Sequence, residues 1–159
     1  IKLYEGGEAA IVQFSLREDD MDLIAQDPFI AVASDGKSVR SEGPLSGGKP
    51  HPRSYGTFSR FLSEMRRDKG LVSLEEAVRK MCALPASRLQ LTRRGRVAPG
   101  CFADVVIFDP DTVQDTATFT DPHQYTTGID TVVVNGQVAL DGGNPTGVTA
   151  GRVVRTENG

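Results

Sequence analysis

Asp35 is the first residue whose setting suggests chemistry. It follows the apolar run Phe29 to Ala33 (FIAVA) and Ser34, and it precedes Gly36. At the C-terminal end of a parallel strand, a carboxylate points into the crevice where α/β folds gather their ligands. The same residues also read as a plain turn, because Asp bonds nearby backbone and Gly accepts positive φ. A second group lies in HPRSYG, where His51, Arg53 and Tyr55 set an imidazole, a guanidinium and a phenol in one loop stiffened by Pro50 and Pro52. Arg grips carboxylates in a bidentate way. The competing reading is a solvated loop tied down by one arginine.

Other patterns fall short of a site. GPLSGGKP (Gly43 to Pro50) nearly matches a phosphate-cradling loop, but Pro50 replaces the Ser or Thr that holds magnesium and no helix start follows. Asp109, Asp111 and Asp115 lack the glycine that turns a calcium loop and read as turn and surface residues. His123 is the only other histidine, and two isolated histidines do not make a zinc site of three or four ligands. The chain therefore holds at most part of a metal site. No Gly-x-Ser-x-Gly elbow is present, and neither Cys82 nor Cys101 has a neighbouring histidine.

The elements that must position these groups change character along the chain. Ala9 to Phe14 reads as a short buried strand, and Ser15 with Glu18 reads as a capping box opening a helix that stops near Asp27-Pro28. FIAVA then reads as a second strand, apolar on both faces, which favours a parallel sheet under helices. A loop rich in Gly, Pro and Ser runs from Gly36 to about Thr57; loops of that length in compact domains carry function or are disordered. Phe58, Phe61, Leu62 and Met65 form a helical stripe that Gly70 ends, Ser73 with Glu76 caps the next helix, and Pro85 starts a short helical segment. From Arg94 onward short β-type runs appear: RRGRVAPG, ADVVIF, DTVVV, QVAL and GRVVR, with Asn135-Gly136 as a hairpin turn. A boundary near residues 90 to 95 thus divides an α/β portion from an all-β portion.

Composition excludes several classes of partner. The 18 basic and 21 acidic residues give a net charge of −3 without a dense basic stripe, so neither nucleic acid nor a polybasic membrane surface is expected. No apolar run approaches a membrane span, and IKLYEGGEAA is not a signal peptide. Two distant cysteines suit a reducing, cytoplasmic setting. An opening without Met suggests a processed, trimmed or incomplete polypeptide.

Taken in order, SDG, HPRSYGTFSRFL, LEEAVRKMCALPASRLQL, RGRVAPGCFADVVIFDPDTVQDTATF and GIDTVVVNGQVALDGG resemble the C-terminal part of the N-acyl-D-amino-acid deacylases, the D-aminoacylases of the amidohydrolase superfamily. The likeness runs over nearly the whole chain. HPRSYGTF joined to DTVQDTATF is particular to the deacylase branch, whereas the PG..ADVVIFD stretch marks only the superfamily.

The resemblance implies an α/β fold, the C-terminal end of a (β/α)8 metal-dependent hydrolase barrel over residues 1–92, with FIAVA as its eighth strand. Residues 93–159 would be the C-terminal strands of a small β-sandwich. It implies that Asp35 sits by one or two zinc ions as a ligand, takes a proton from the attacking water and returns it to the leaving amine. His51, Arg53 and Tyr55 match the motif after strand eight and are expected to contact an N-acyl-D-amino acid, with Arg53 holding an anionic group or, alternatively, tying the loop to the barrel rim. The family's other metal ligands are missing, so the remaining barrel segment is an implied partner and this chain alone is expected to be inactive. The rival expectations are a non-catalytic amidohydrolase-like scaffold and a hydrolase of cyclic amides, similar to dihydropyrimidinases or hydantoinases.

Overall fold

The computed structural model describes residues 15–156, so the strand expected at Ala9 to Phe14 lies outside the described residues. Helix α1 (Glu18–Gln26) starts three residues after Ser15, with extended Arg17 at its N-cap and no side-chain cap. The expected capping box of Ser15 and Glu18 does not form. Glu18, Asp19 and Asp20 instead crowd the first turn, where the positive end of the helix dipole favours carboxylates. Asp27, extended before Pro28, ends the helix as expected.

Phe29 to Ala33 does not form the expected strand. Its amides at Ile30 and Val32 bond the carbonyls of Asp27 (3.3 Å) and Lys80 (3.1 Å), and neither bond belongs to a ladder. A strand exists only where a neighbour closes its hydrogen bonds, and the one sheet among the described residues lies elsewhere and is antiparallel. Phe29 is 76% exposed, and Leu16, Leu23 and Ile24 of the α1 segment are likewise open to solvent. The apolar faces read from the sequence are present, but among their described residues only Ala25 is buried, with Ala31 and Val32 half-buried.

The long loop ends earlier than expected, because HPRSYG does open a helix: α2 (Arg53–Arg60) begins directly after Pro52 and passes without a break into a π-helical segment (Phe61–Asp68). Leu62 of the expected stripe is buried, whereas Phe58 stays nearly half exposed. Gly70 closes the segment at φ +62°, with Lys69 N–H on the Glu64 carbonyl and Leu71 N–H on that of Met65. Helix α3 (Leu74–Val78) begins with the Ser73 hydroxyl accepting from Glu76 N–H at 3.2 Å, the capping bond predicted for it. A π-helical segment (Arg79–Ala83) joins α3 to α4 (Leu84–Arg88). Pro85 brings no N–H and crowds the preceding turn, and the wider π turn just before it accommodates the ring. Ser73→Ala in the complete protein should cost about 1 kcal/mol of stability, read as a lower urea midpoint at unchanged m-value.

Strands β1 (Val105–Phe108), β2 (Ile129–Val134), β3 (Gln137–Asp141) and β4 (Asn144–Pro145) form one antiparallel sheet in chain order. Asn135 and Gly136 both have positive φ (47° and 80°), and Val134 faces Gln137, so the predicted two-residue hairpin forms. GRVVR makes no strand, and Val153 there is 84% exposed.

One apolar cluster joins the two portions that composition separates near residue 90. Leu62 and Ala77 from the helices meet Val113 from the excursion between β1 and β2, with Phe108 and Ile129 packed against them. That excursion lies along α2 and its π continuation. Arg66 and Arg67 donate to the carbonyls of Pro110, Asp111 and Val113, and Arg67 also reaches the Gln114 side chain.

Candidate functional site

The segment Ser34-Asp35-Gly36 is a turn that presents a carboxylate. Asp35 has φ +47°, a left-handed conformation that Asp tolerates better than most residues. The Ser34 hydroxyl accepts from Gly36 N–H at 3.2 Å, and the Ser54 hydroxyl accepts from Lys37 N–H at 3.2 Å. Gly36 is needed for a close approach: a Cβ there would lie 2.9 Å from the Ser54 Cα and 3.2 Å from the Arg53 carbonyl. The turn therefore rests directly on the start of α2. The geometry is that of the turn reading, with no strand before it and the Asp35 side chain 86% exposed.

Across that contact, Arg53 Nη2 lies 2.8 Å from Asp35 Oδ2. Residues far apart in sequence thus form one pair. The side chains are 44% and 86% exposed, and an ion pair so open to water contributes only about 0–1 kcal/mol. Arg53 can exchange this partner for another anion at little cost. His51 sits beside them, its Nδ1 accepting from Arg53 N–H at 3.1 Å and its ring standing edge-on to Phe119 with centroids 5.0 Å apart. Burial, and then the Arg53 and Arg60 guanidiniums, push the His51 pKa down and favour a neutral imidazole.

Ser34, His51 and Arg53 line a groove of about 440 Å³. Leu16, Met21, Ile24 and Ile30 give it an apolar wall, and Arg60, Lys80 and Asp115 add charge. Tyr55 faces elsewhere. Its hydroxyl lies 2.8 Å from His123 Nδ1, while His123 Nε2 lies 3.0 Å from the Gly48 carbonyl. A carbonyl only accepts, so Nε2 carries the proton in the neutral ring and Nδ1 accepts from Tyr55. Tyr55 also stands edge-on to Tyr125, whose hydroxyl accepts from Ser41 N–H at 3.3 Å. With Lys49 donating to the Thr120 carbonyl at 2.8 Å, these contacts fasten the loop before α2 to the excursion between β1 and β2. The structure thus gathers Asp35, His51 and Arg53, while Tyr55 and His123 tie α2 to the loop that precedes it.

Three charged groups in the groove are not singled out by the sequence. Asp115, expected at the surface, has a side chain only 3% exposed, paired with Arg60 Nε at 3.0 Å. Asp109 does serve its turn, accepting from Asp111 N–H at 2.9 Å, and Asp111 is exposed as expected. Lys80 is 1% exposed, its amine donates to the Asp27 carbonyl, and burial lowers its pKa. The signal for Lys80 is its place three residues after Ala77, on the apolar stripe of its helix.

Among the described residues, no three His, Cys, Asp or Glu side chains come together as a metal site. Asp35 offers one hard oxygen donor of the kind zinc accepts, but one donor is not a site. These residues alone do not fit a zinc centre.

Comparison with known proteins follows the same lines. The amidohydrolase family profile matches residues 41–140, well over half of the chain. The chain is 42% identical over 146 residues to a D-aminoacylase of Alcaligenes xylosoxydans xylosoxydans, covering 92% of this chain and 29% of that protein. It superposes on a crystal structure of a D-aminoacylase with a TM-score of 0.78 at 41% identity, covering 88% of this chain and 28% of the other. A third relative is the N-acyl-D-glutamate deacylase of Bordetella bronchiseptica, in complex with zinc and a phosphonate inhibitor that mimics the tetrahedral intermediate. Its TM-score is 0.70 at 41% identity, covering 82% of this chain and 27% of that one. The chain therefore spans under a third of the length of these relatives.

Proposed function

This chain belongs to the amidohydrolase family, and we propose that it is the C-terminal portion of a metal-dependent hydrolase that cleaves N-acyl-D-amino acids to a D-amino acid and a carboxylate. The observation that carries the proposal is the pair formed by Asp35 and Arg53 at 2.8 Å beside the groove. It sets a proton acceptor next to a carboxylate-binding group, the two functions such a substrate demands. The 39–42% identity to deacylases of this substrate class supports the choice of substrate.

In this reading residues 1–92 are the end of a (β/α)8 barrel and residues 93–159 part of a β-sandwich, in a cytoplasmic enzyme. The remainder of the barrel covers the groove wall of Leu16, Met21, Ile24 and Ile30 and brings the imidazoles that this chain lacks. The chain by itself is inert. Asp35 would share one or two zinc ions with those imidazoles, and the metal would supply a more acidic water and a polarised scissile carbonyl.

Asp35 accepts the proton of the attacking water as the carbonyl carbon becomes tetrahedral, and it returns that proton to the amide nitrogen as the C–N bond breaks. Arg53 leaves Asp35 for the α-carboxylate of the substrate and fixes which end of the molecule faces the base. His51, kept neutral, braces the first turn of α2 through its bond to Arg53 N–H.

The test is hydrolysis of paired N-acetyl-D- and N-acetyl-L-amino acids by the zinc-replete complete enzyme. The expected result is release of the D-amino acid only, abolished by a chelator. Failure to hydrolyse either enantiomer would favour a scaffold, and turnover of hydantoins instead would favour a cyclic amidase.

A further inference from the structure

A buried carboxylate is costly unless it is paired and hydrogen-bonded, so the burial of Asp115 calls for a reason. Its contacts converge on α2 and on its own loop. Oδ2 pairs with Arg60 Nε at 3.0 Å, and Oδ1 accepts from Ala117 N–H at 2.9 Å. The carboxyl group is also seated on Gly56: a Cβ built there would fall 1.9–2.4 Å from its three atoms. Gly56 is three residues after Arg53, one helical turn along α2. Gly36 makes a comparable bare contact with Arg53 and Ser54. The first turn of α2 therefore touches the Asp35 turn through one glycine and, through another, the Asp115 carboxyl group, which the Arg60 pair and the Ala117 bond hold in place.

We infer that Asp115 is a positioning residue that fixes the first turn of α2 and thereby the reach of Arg53 toward Asp35 and the carboxylate of the substrate. The inference rests on the reading of Arg53 given above. Its physical basis is rigid transmission: a displacement of about 1 Å at a reacting group can cost about a hundredfold in rate. The two sequence stretches that stand out separately, HPRSYGTF and DTVQDTATF, thus act as one unit, joined by Gly56 with Asp115 and by His51 with Phe119.

The experiment compares kcat/KM of the complete enzyme for an N-acetyl-D-amino acid and for its carboxamide, which lacks the anionic group. Arg53→Ala sets the scale by removing most of the preference for the carboxylate. Asp115→Ala should reduce that preference by about tenfold or more, and Asp115→Asn, which keeps the shape and the Ala117 bond, should retain a larger share. Gly56→Ala should lose it as well, and the double variant Gly56→Ala/Asp115→Ala should be no worse than Asp115→Ala alone. Should Asp115→Ala not accumulate as folded protein, Gly56→Ala carries the same comparison.

A merely structural Asp115 lowers both substrates in proportion and leaves the preference intact, and that result overturns the inference. If Arg53→Ala erases the preference and Asp115→Ala does not, the positioning role alone fails. If Arg53→Ala leaves the preference unchanged, the reading of Arg53 fails and the role of Asp115 falls with it.

Discussion

Asp35→Asn in the complete enzyme should lower kcat by about a thousandfold, inside the range of about 10²–10⁴ that general acid–base catalysis supplies, with KM nearly unchanged. The substitution isolates the proton transfer. Asn has the shape of Asp and tolerates positive φ, so the turn at φ +47° and its seat on α2 survive. Loss of the exposed pair with Arg53 changes stability by at most about 1 kcal/mol. What disappears is the capacity to take a proton from water and return it to the amine. Steady-state kinetics on an N-acetyl-D-amino acid, with thermal denaturation to verify the fold, make the measurement. A fall of only a few-fold would assign the base to another residue.

Arg53→Ala should act mainly on KM, raising it by about ten- to a hundredfold. A hydrogen bond to a charged group contributes about 1.5–3 kcal/mol, and each 1.4 kcal/mol is about tenfold in affinity. The Arg53 backbone is fixed by α2 and by its N–H bond to His51, while the guanidinium is held by a solvent-exposed pair that an incoming carboxylate can replace. Arg53→Lys should recover little, because an ammonium cannot present two parallel donors to a carboxylate. An unchanged KM would leave Arg53 with the structural role of holding the Asp35 turn against α2.

The parts of this fold that follow from short-range chemistry are legible in the sequence. The Ser73 cap, the stop at Gly70 and the Asn135-Gly136 hairpin each depend on residues within a few positions of one another, and each forms. The same S-x-x-E pattern at Ser15 fails because α1 starts at Glu18, leaving Ser15 outside the helix. FIAVA has the composition of a strand but no ladder, since pairing belongs to a neighbour and not to the run itself.

The site divides in the same way. His51 and Arg53 are adjacent in one motif, and both line the groove. The burial of Asp115 under Gly56 and Arg60, and the bond from Tyr55 to His123, are made across more than fifty positions of chain. No local pattern distinguishes an Asp that ends up beneath a helix from one in a surface turn, so Asp115 reads like Asp109 and Asp111. Lys80 is hidden for a related reason. A lysine on an apolar stripe can turn its amine outward along the surface, and only the packed chain brings it to the Asp27 carbonyl.

Anomalous scattering at the zinc edge, measured on the complete, zinc-loaded enzyme, would locate the metal relative to Asp35 and so decide whether this carboxylate serves the reaction. A zinc ion is expected either bound to the Asp35 carboxylate at about 2.0–2.2 Å or one hydrogen-bonded water away. An ion lodged elsewhere, with Asp35 still facing solvent and paired only to Arg53, would contradict that role.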